Sequence, residues 1–145
     1  MRFIESDGGR AVAGFKGRAG DCVARSIAIA SGRPYAEVYA RLSQETGSQR
    51  AGKRGRKAAS ARNGISTTRK WFKDYMHELG FEWTPTMSIG SGCKVHLRED
   101  ELPVGRLVVA LSGHLSAVID GVIHDTYDPS RDGTRCVYGY WRKAA

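Results

Sequence analysis

The chain has 145 residues and a mass of 15.9 kDa, the size of one domain that can bury a core without disulfides or a structural metal. With 41% apolar and 26% charged residues it falls outside the compositions of disordered chains, and no apolar run approaches the ~18 residues of a membrane helix. The net charge of +8 is concentrated: nine basic residues and no acid lie between Arg50 and Lys73, and the other 14 basic residues face 15 acids.

The start, MRFIESDGGR, lacks the apolar stretch of a secretory signal, and WRKAA carries no lipidation motif. Three cysteines, Cys22, Cys93 and Cys136, are odd in number and far apart, which predicts no disulfide framework. Together these features predict a cytoplasmic protein with reduced thiols, no membrane segment and a single domain over residues 1–145.

Residues 1–20 read as a short strand or irregular arm. GDCVARSIAIASG predicts a helix, with Asp21 as N-cap, Val23, Ile27 and Ala30 at helical spacing, and Gly32 as its stop. A second helix is expected from Pro34 to Gly47, with Tyr35, Val38 and Leu42 as its apolar stripe. Residues 47–64 hold almost nothing that could pack in a core and read as a basic, mobile loop. Ser66 is the expected N-cap of a third helix, whose face is Trp71, Phe72, Tyr75 and Leu79 and whose stop is Gly80.

After Gly80 the period changes. FEWTPTM reads as extended, IGSGCKVH as a glycine-rich turn entering a strand, and REDELP as a polar turn. RLVVALS is a strand with both faces covered, HLSAVID and VIHDTYD form a hairpin about Asp120-Gly121, and RCVYGYW is a last strand. Helices followed by strands predict an α+β domain, with N-terminal helices packed on a mostly antiparallel C-terminal sheet.

The hairpin carries geometric information. With Asp120 and Gly121 as turn residues, His114 lies opposite Tyr127 and Ser116 opposite Asp125, so His114 and Asp125 share one face a diagonal step apart. Asp128 and His124 have the other parity. A carboxylate beside an imidazole fixes its tautomer and stabilises the imidazolium. Cys22 falls in the first turn of a predicted helix, where backbone N–H groups and the dipole favour a thiolate. A nucleophile, a base and an orienting acid are what acyl transfer through a thioester requires.

DCVARSIAIA at a helix start, GHLSAVIDG on one strand and HDTYDP on the next resemble the papain-like cysteine peptidase superfamily, in particular its compact bacteriocin-processing branch. The chain is similar also to small proteins of bacteria and their phages that share this pattern. The resemblance covers about a third of the chain. It implies a papain-like fold and a cysteine peptidase-like hydrolase acting on a peptide or protein, with Cys22 as nucleophile, His114 as base and then acid, and Asp125 as orienting group. Asp128, which precedes Pro129, is implied as the other possible third member. No cofactor or metal is implied. One departure is the upstream glutamine that commonly donates to the oxyanion in this superfamily, since residues 1–21 contain neither Gln nor Asn. Arg18 or the glycine-rich stretch 89–93 are candidate substitutes, and a lost donor typically costs about 10²–10³ in rate.

Other readings stand beside this one. Cys22 could be a small buried apolar residue of a helix. Cys93 and His96 offer a second thiol–imidazole spacing or half a zinc site, against a buried thiol with no evident acid for His96. Cys136 reads as packing, His124 as structural and His77 as a surface residue. Arg50, Lys53, Arg54, Arg56 and Lys57 could bind nucleic acid or an acidic protein, with or without catalysis elsewhere, or form a solvated loop. Trp71, Phe72 and Tyr75 adjoin that segment at a spacing that suits either nucleobase stacking or an ordinary core face.

Overall fold

The computed structural model describes residues 1–14, 22–47, 69–88 and 90–144. The expected N-caps Asp21 and Ser66, the basic residues Arg50, Lys53, Arg54, Arg56 and Lys57, and Arg18 lie outside the described residues, as does all of the 47–64 loop beyond Gly47.

The fold is α+β. Strand β1 (Arg2–Glu5) precedes helices α1 (Cys22–Ser31), α2 (Tyr35–Gly47) and α3 (Lys70–Glu78). There follow β2 (Phe81–Pro85), β3 (Val95–His96), a 3-10 turn at Glu99–Glu101, β4 (Arg106–Leu111), β5 (His114–Ile119), β6 (Val122–Asp125), β7 (Cys136–Val137) and β8 (Gly139–Lys143). The main sheet runs β1-β6-β5-β4-β8-β2, and β3 pairs with β7 in a second, two-stranded sheet. Every pairing is antiparallel except β1 with β6.

Two apolar layers sandwich the sheet. On one side α1, α2 and α3 bury Val23, Ile27, Val38, Leu42, Phe72 and Met76 against Val108, Leu115, Ala117 and Trp141. On the other, Leu107, Val109, Leu111, Val118 and Ile123 pack on Leu97, Leu102 and Val137. Alternate residues of β4 therefore serve opposite cores, which explains its nearly continuous apolar run and its place between β5 and β8.

Three expectations are corrected. Helix α3 begins at Lys70, later than expected, with Arg69 extended at its N-cap and no side-chain hydrogen bond there. The RCVYGYW segment forms two strands, because β7 turns aside to join β3 while β8 continues along β4. The third concerns the thiols. Antiparallel pairing of β3 with β7 brings Cys93 within 5.8 Å (Cα to Cα) of Cys136, and the two are joined as a disulfide. Neither is the free thiol that the spacing predicts.

The β5–β6 hairpin has the predicted register, with Ala117 opposite His124 and Ile119 opposite Val122. Asp120 and Gly121 both have positive φ, 48° and 80°, as a two-residue turn between twisted strands requires. Asp120 further fixes the turn by accepting the Gly105 N–H at 2.9 Å.

Candidate active site

Four chain segments meet at the open end of this hairpin. Helix α1 contributes Cys22 as its first residue, where N–H groups have no partner within the helix. Strand β5 contributes His114 and Ser116, and β6 ends on Asp125. Edge strand β1 runs parallel to β6 with Glu5 level with Asp125, and the Ser6 N–H donates to the Asp125 carbonyl at 2.8 Å. The chain then turns at Gly8 (φ 70°), where a Cβ would lie 3.1 Å from the Arg25 carbonyl oxygen, so the arm abuts α1. On the other flank, buried Arg135 donates to the Ser112 carbonyl at 2.6 Å and pins the two-residue turn that precedes His114.

The Asp125 carboxylate is enclosed by donors. Its Oδ2 accepts His114 Nε2–H and the Ser116 hydroxyl, each at 2.7 Å, and its Oδ1 accepts the Thr126 N–H at 2.7 Å. Arg25 Nη2 stands 3.9 Å from the same Oδ1. Burial favours the protonated acid, but the hydrogen bonds from His114 and Ser116, the charge of His114 and the Thr126 N–H outweigh it and hold the carboxyl below its ordinary range.

With Nε2 committed to Asp125, Nδ1 is the ring nitrogen left for the Cys22 thiol, which hydrogen-bonds the His114 side chain. Burial pushes this thiol up. The bond to His114, the Leu115 backbone N–H, and the charges of His114 and Arg25 outweigh burial and bring it below the usual thiol value. Burial likewise lowers His114, yet the bonds to Asp125 and Cys22 and the charges of both raise it to about 9. The lowered thiol and the raised ring both favour the thiolate–imidazolium form of the pair. Tyr127 flanks the ring with centroids 5.2 Å apart.

The residues foreseen from sequence thus divide. Cys22, His114 and Asp125 come together. Asp128 does not join them: it is exposed and accepts the Ser130 N–H at 2.9 Å in a local turn. His124 is half-buried and its ring is held below its ordinary value by burial and by the Arg106 charge. His77 is exposed and its ring packs on Trp141. His96 has an acid after all, Glu101, at 3.2 Å, but its neighbour Cys93 is consumed in the disulfide. Phe72 and Tyr75 are core residues and Trp71 packs partly against them. Among the described residues no three His, Cys, Asp or Glu side chains are grouped as metal ligands. No helix among them is long and apolar enough to cross a membrane.

Three contributors went unforeseen. Arg25 follows Cys22 by three residues, one helical turn on, and that spacing was a usable signal. Ser116 was already placed opposite Asp125 by the hairpin register. The Leu115 N–H carries no side-chain signature at all. Compared with known proteins, the chain matches no protein-family model, no curated protein and no solved structure.

Proposed function

We propose that the chain is a cysteine-dependent hydrolase of papain-like architecture, cleaving an amide, isopeptide or thioester bond of a peptide or protein through a thioester acyl-enzyme. The observations that carry the reading are a His114 ring whose Nε2 lies 2.7 Å from Asp125 and a free Cys22 thiol at the start of α1 that this ring draws below its usual value.

The Cys22 thiolate adds to the substrate carbonyl carbon, and the carbonyl oxygen takes the electron pair. The Cys22 backbone N–H, in the first turn of α1, is a donor available to that oxyanion. Collapse breaks the bond to the leaving group, which departs with the proton of His114 Nδ1, and a thioester remains. Water then adds to the thioester as His114 takes its proton. A second collapse breaks the C–S bond, releases the carboxylic acid and restores thiolate and imidazolium. Asp125 keeps the Nε2 proton in place throughout, so only Nδ1 exchanges protons with the reaction. The proposed location is the cytoplasm, where Cys22 stays reduced and the Cys93–Cys136 bond is open to reduction.

Alkylation of Cys22 by iodoacetamide, followed by mass spectrometry across pH in wild type and His114→Ala, tests this directly. Wild-type Cys22 should become reactive at lower pH than ordinary cysteine does, and the variant should revert to the profile of free cysteine. A wild-type profile already like free cysteine, unchanged by the substitution, sinks the proposal.

A second reading rests on charge. The block Arg50, Lys53, Arg54, Arg56 and Lys57 would bind nucleic acid or an acidic protein, either without catalysis or to recruit an acidic substrate. It predicts binding of single-stranded DNA that weakens steeply as salt rises and disappears when Lys53, Arg54, Arg56 and Lys57 are neutralised.

A further inference from the structure

The hydroxyl of Ser116 occupies a position that packing alone would give to an apolar side chain. Its strand neighbours Leu115, Ala117 and Val118 are all buried, and Ser116 itself is 1% exposed. Placing a hydroxyl there is unfavourable unless it is hydrogen-bonded. Its partner is Asp125 Oδ2, the same oxygen that takes the His114 ring proton, and both bonds are 2.7 Å long. The Thr126 N–H holds the other oxygen, so rotation of the carboxylate would break bonds at both ends.

We infer that Ser116 is a positioning residue for His114, acting through Asp125: its hydroxyl fixes Oδ2 toward the ring and keeps the carboxylate ionised. The inference rests on the hydrolase reading for its catalytic meaning, although the coupling of Ser116 to His114 exists with or without turnover. A donor on a carboxylate favours the charged form, and a more firmly ionised Asp125 favours the imidazolium. Without Ser116 the acid becomes easier to protonate and the ring easier to deprotonate. The remaining groups around the ring temper the effect. Helix α1 supplies Cys22 and Arg25, the segment after β6 supplies Tyr127, and β1 places Glu5 level with Asp125.

The experiment is an NMR titration of the His114 ring in the full chain, in wild type, Ser116→Ala and Ser116→Thr. It is paired with the pH dependence of Cys22 alkylation by iodoacetate, an anionic reagent that the imidazolium attracts. From a wild-type midpoint of about 9, Ser116→Ala should lower the midpoint by about one pH unit, the size of one lost charge-assisted hydrogen bond. The falling limb of alkylation should move with it, and Ser116→Thr, which retains a hydroxyl, should restore both. Should Ser116→Ala fail to fold, Ser116→Cys gives the same comparison with a weak donor of similar size. A midpoint that stays within about 0.3 unit of wild type in the folded variant, or Ser116→Thr behaving as Ser116→Ala does, overturns the inference. Failure of the hydrolase reading looks different: wild-type Cys22 would alkylate like free cysteine while the His114 shift in Ser116→Ala persisted.

Discussion

Among the described residues two histidines pair with carboxylates, His114 with Asp125 and His96 with Glu101, and each has a cysteine near it in space or sequence. His114 and Asp125 approach to 2.7 Å with side chains 9% and 3% exposed, whereas His96 and Glu101 stand 3.2 Å apart at 37% and 27%. Glu101 also lies 3.5 Å from the exposed Arg98 guanidinium, so solvent and a competing cation both weaken its hold on His96. The nearby thiols differ as much. Cys93 is tied to Cys136, and Cys22 is free, half-buried and lowered by its neighbours. An imidazole beside a carboxylate is thus a common surface contact. It acquires chemical potential where burial removes water and a third group is present to receive the proton.

Substitutions at the two pairs should separate them widely. Cys22→Ser or His114→Ala should reduce hydrolysis by about 10³-fold or more, measured on a fluorogenic peptide-amide library. Asp125→Asn should lower the rate by roughly 10–10²-fold through loss of ring orientation, with the alkaline limb displaced downward. The profile of wild-type hydrolysis should be a bell. Its acid limb follows formation of the thiolate as pH rises through the lowered Cys22 value. Its alkaline limb, near 9, follows loss of the His114 proton that the leaving group needs. A limb near the ordinary histidine value would show that Asp125 does not support the ring in solution.

Removing the disulfide sharpens the contrast from the other side. Cys93→Ser with Cys136→Ser should lower unfolding stability by about 2–4 kcal/mol in denaturant titration, while the alkylation rate of Cys22 stays within about twofold. The smallest change is expected from His96→Ala, an exposed pair whose loss should alter stability by under about 1 kcal/mol and leave the pH profile of Cys22 unmoved. A large effect there would erase the distinction between the pairs.

The legible part of this protein is the part governed by short-range rules. Asp120-Gly121 determines the turn, the turn determines the register, and the register separates Asp125 from Asp128 by parity. Apolar spacing located α1 and α2 to within a residue, because each has one face to bury. Cys22 could be assigned to a helix start from Asp21 and the residues that follow. What was hidden depends on contacts between distant segments. Two-residue strands such as β3 and β7 have no periodicity, so their pairing and the Cys93–Cys136 bond that follows were invisible. The parallel addition of β1 to β6 was equally hidden, since an edge strand of four residues contains no information about its neighbour. Arg135 shows the same limit: nothing near it in sequence indicates that its guanidinium holds the turn before His114.

The placement of the reactive groups along the chain has a consequence for biosynthesis. The sulfur is translated before the ring, the acid and the backbone amide that lower its proton affinity, which leave the ribosome some ninety or more residues later. Until β5 and β6 have formed and β1 has docked alongside β6, the nascent chain carries an ordinary thiol. Under the proposed hydrolase function, the nucleophile is thus armed only by completion of the sheet, which spares an unfinished polypeptide indiscriminate acylation.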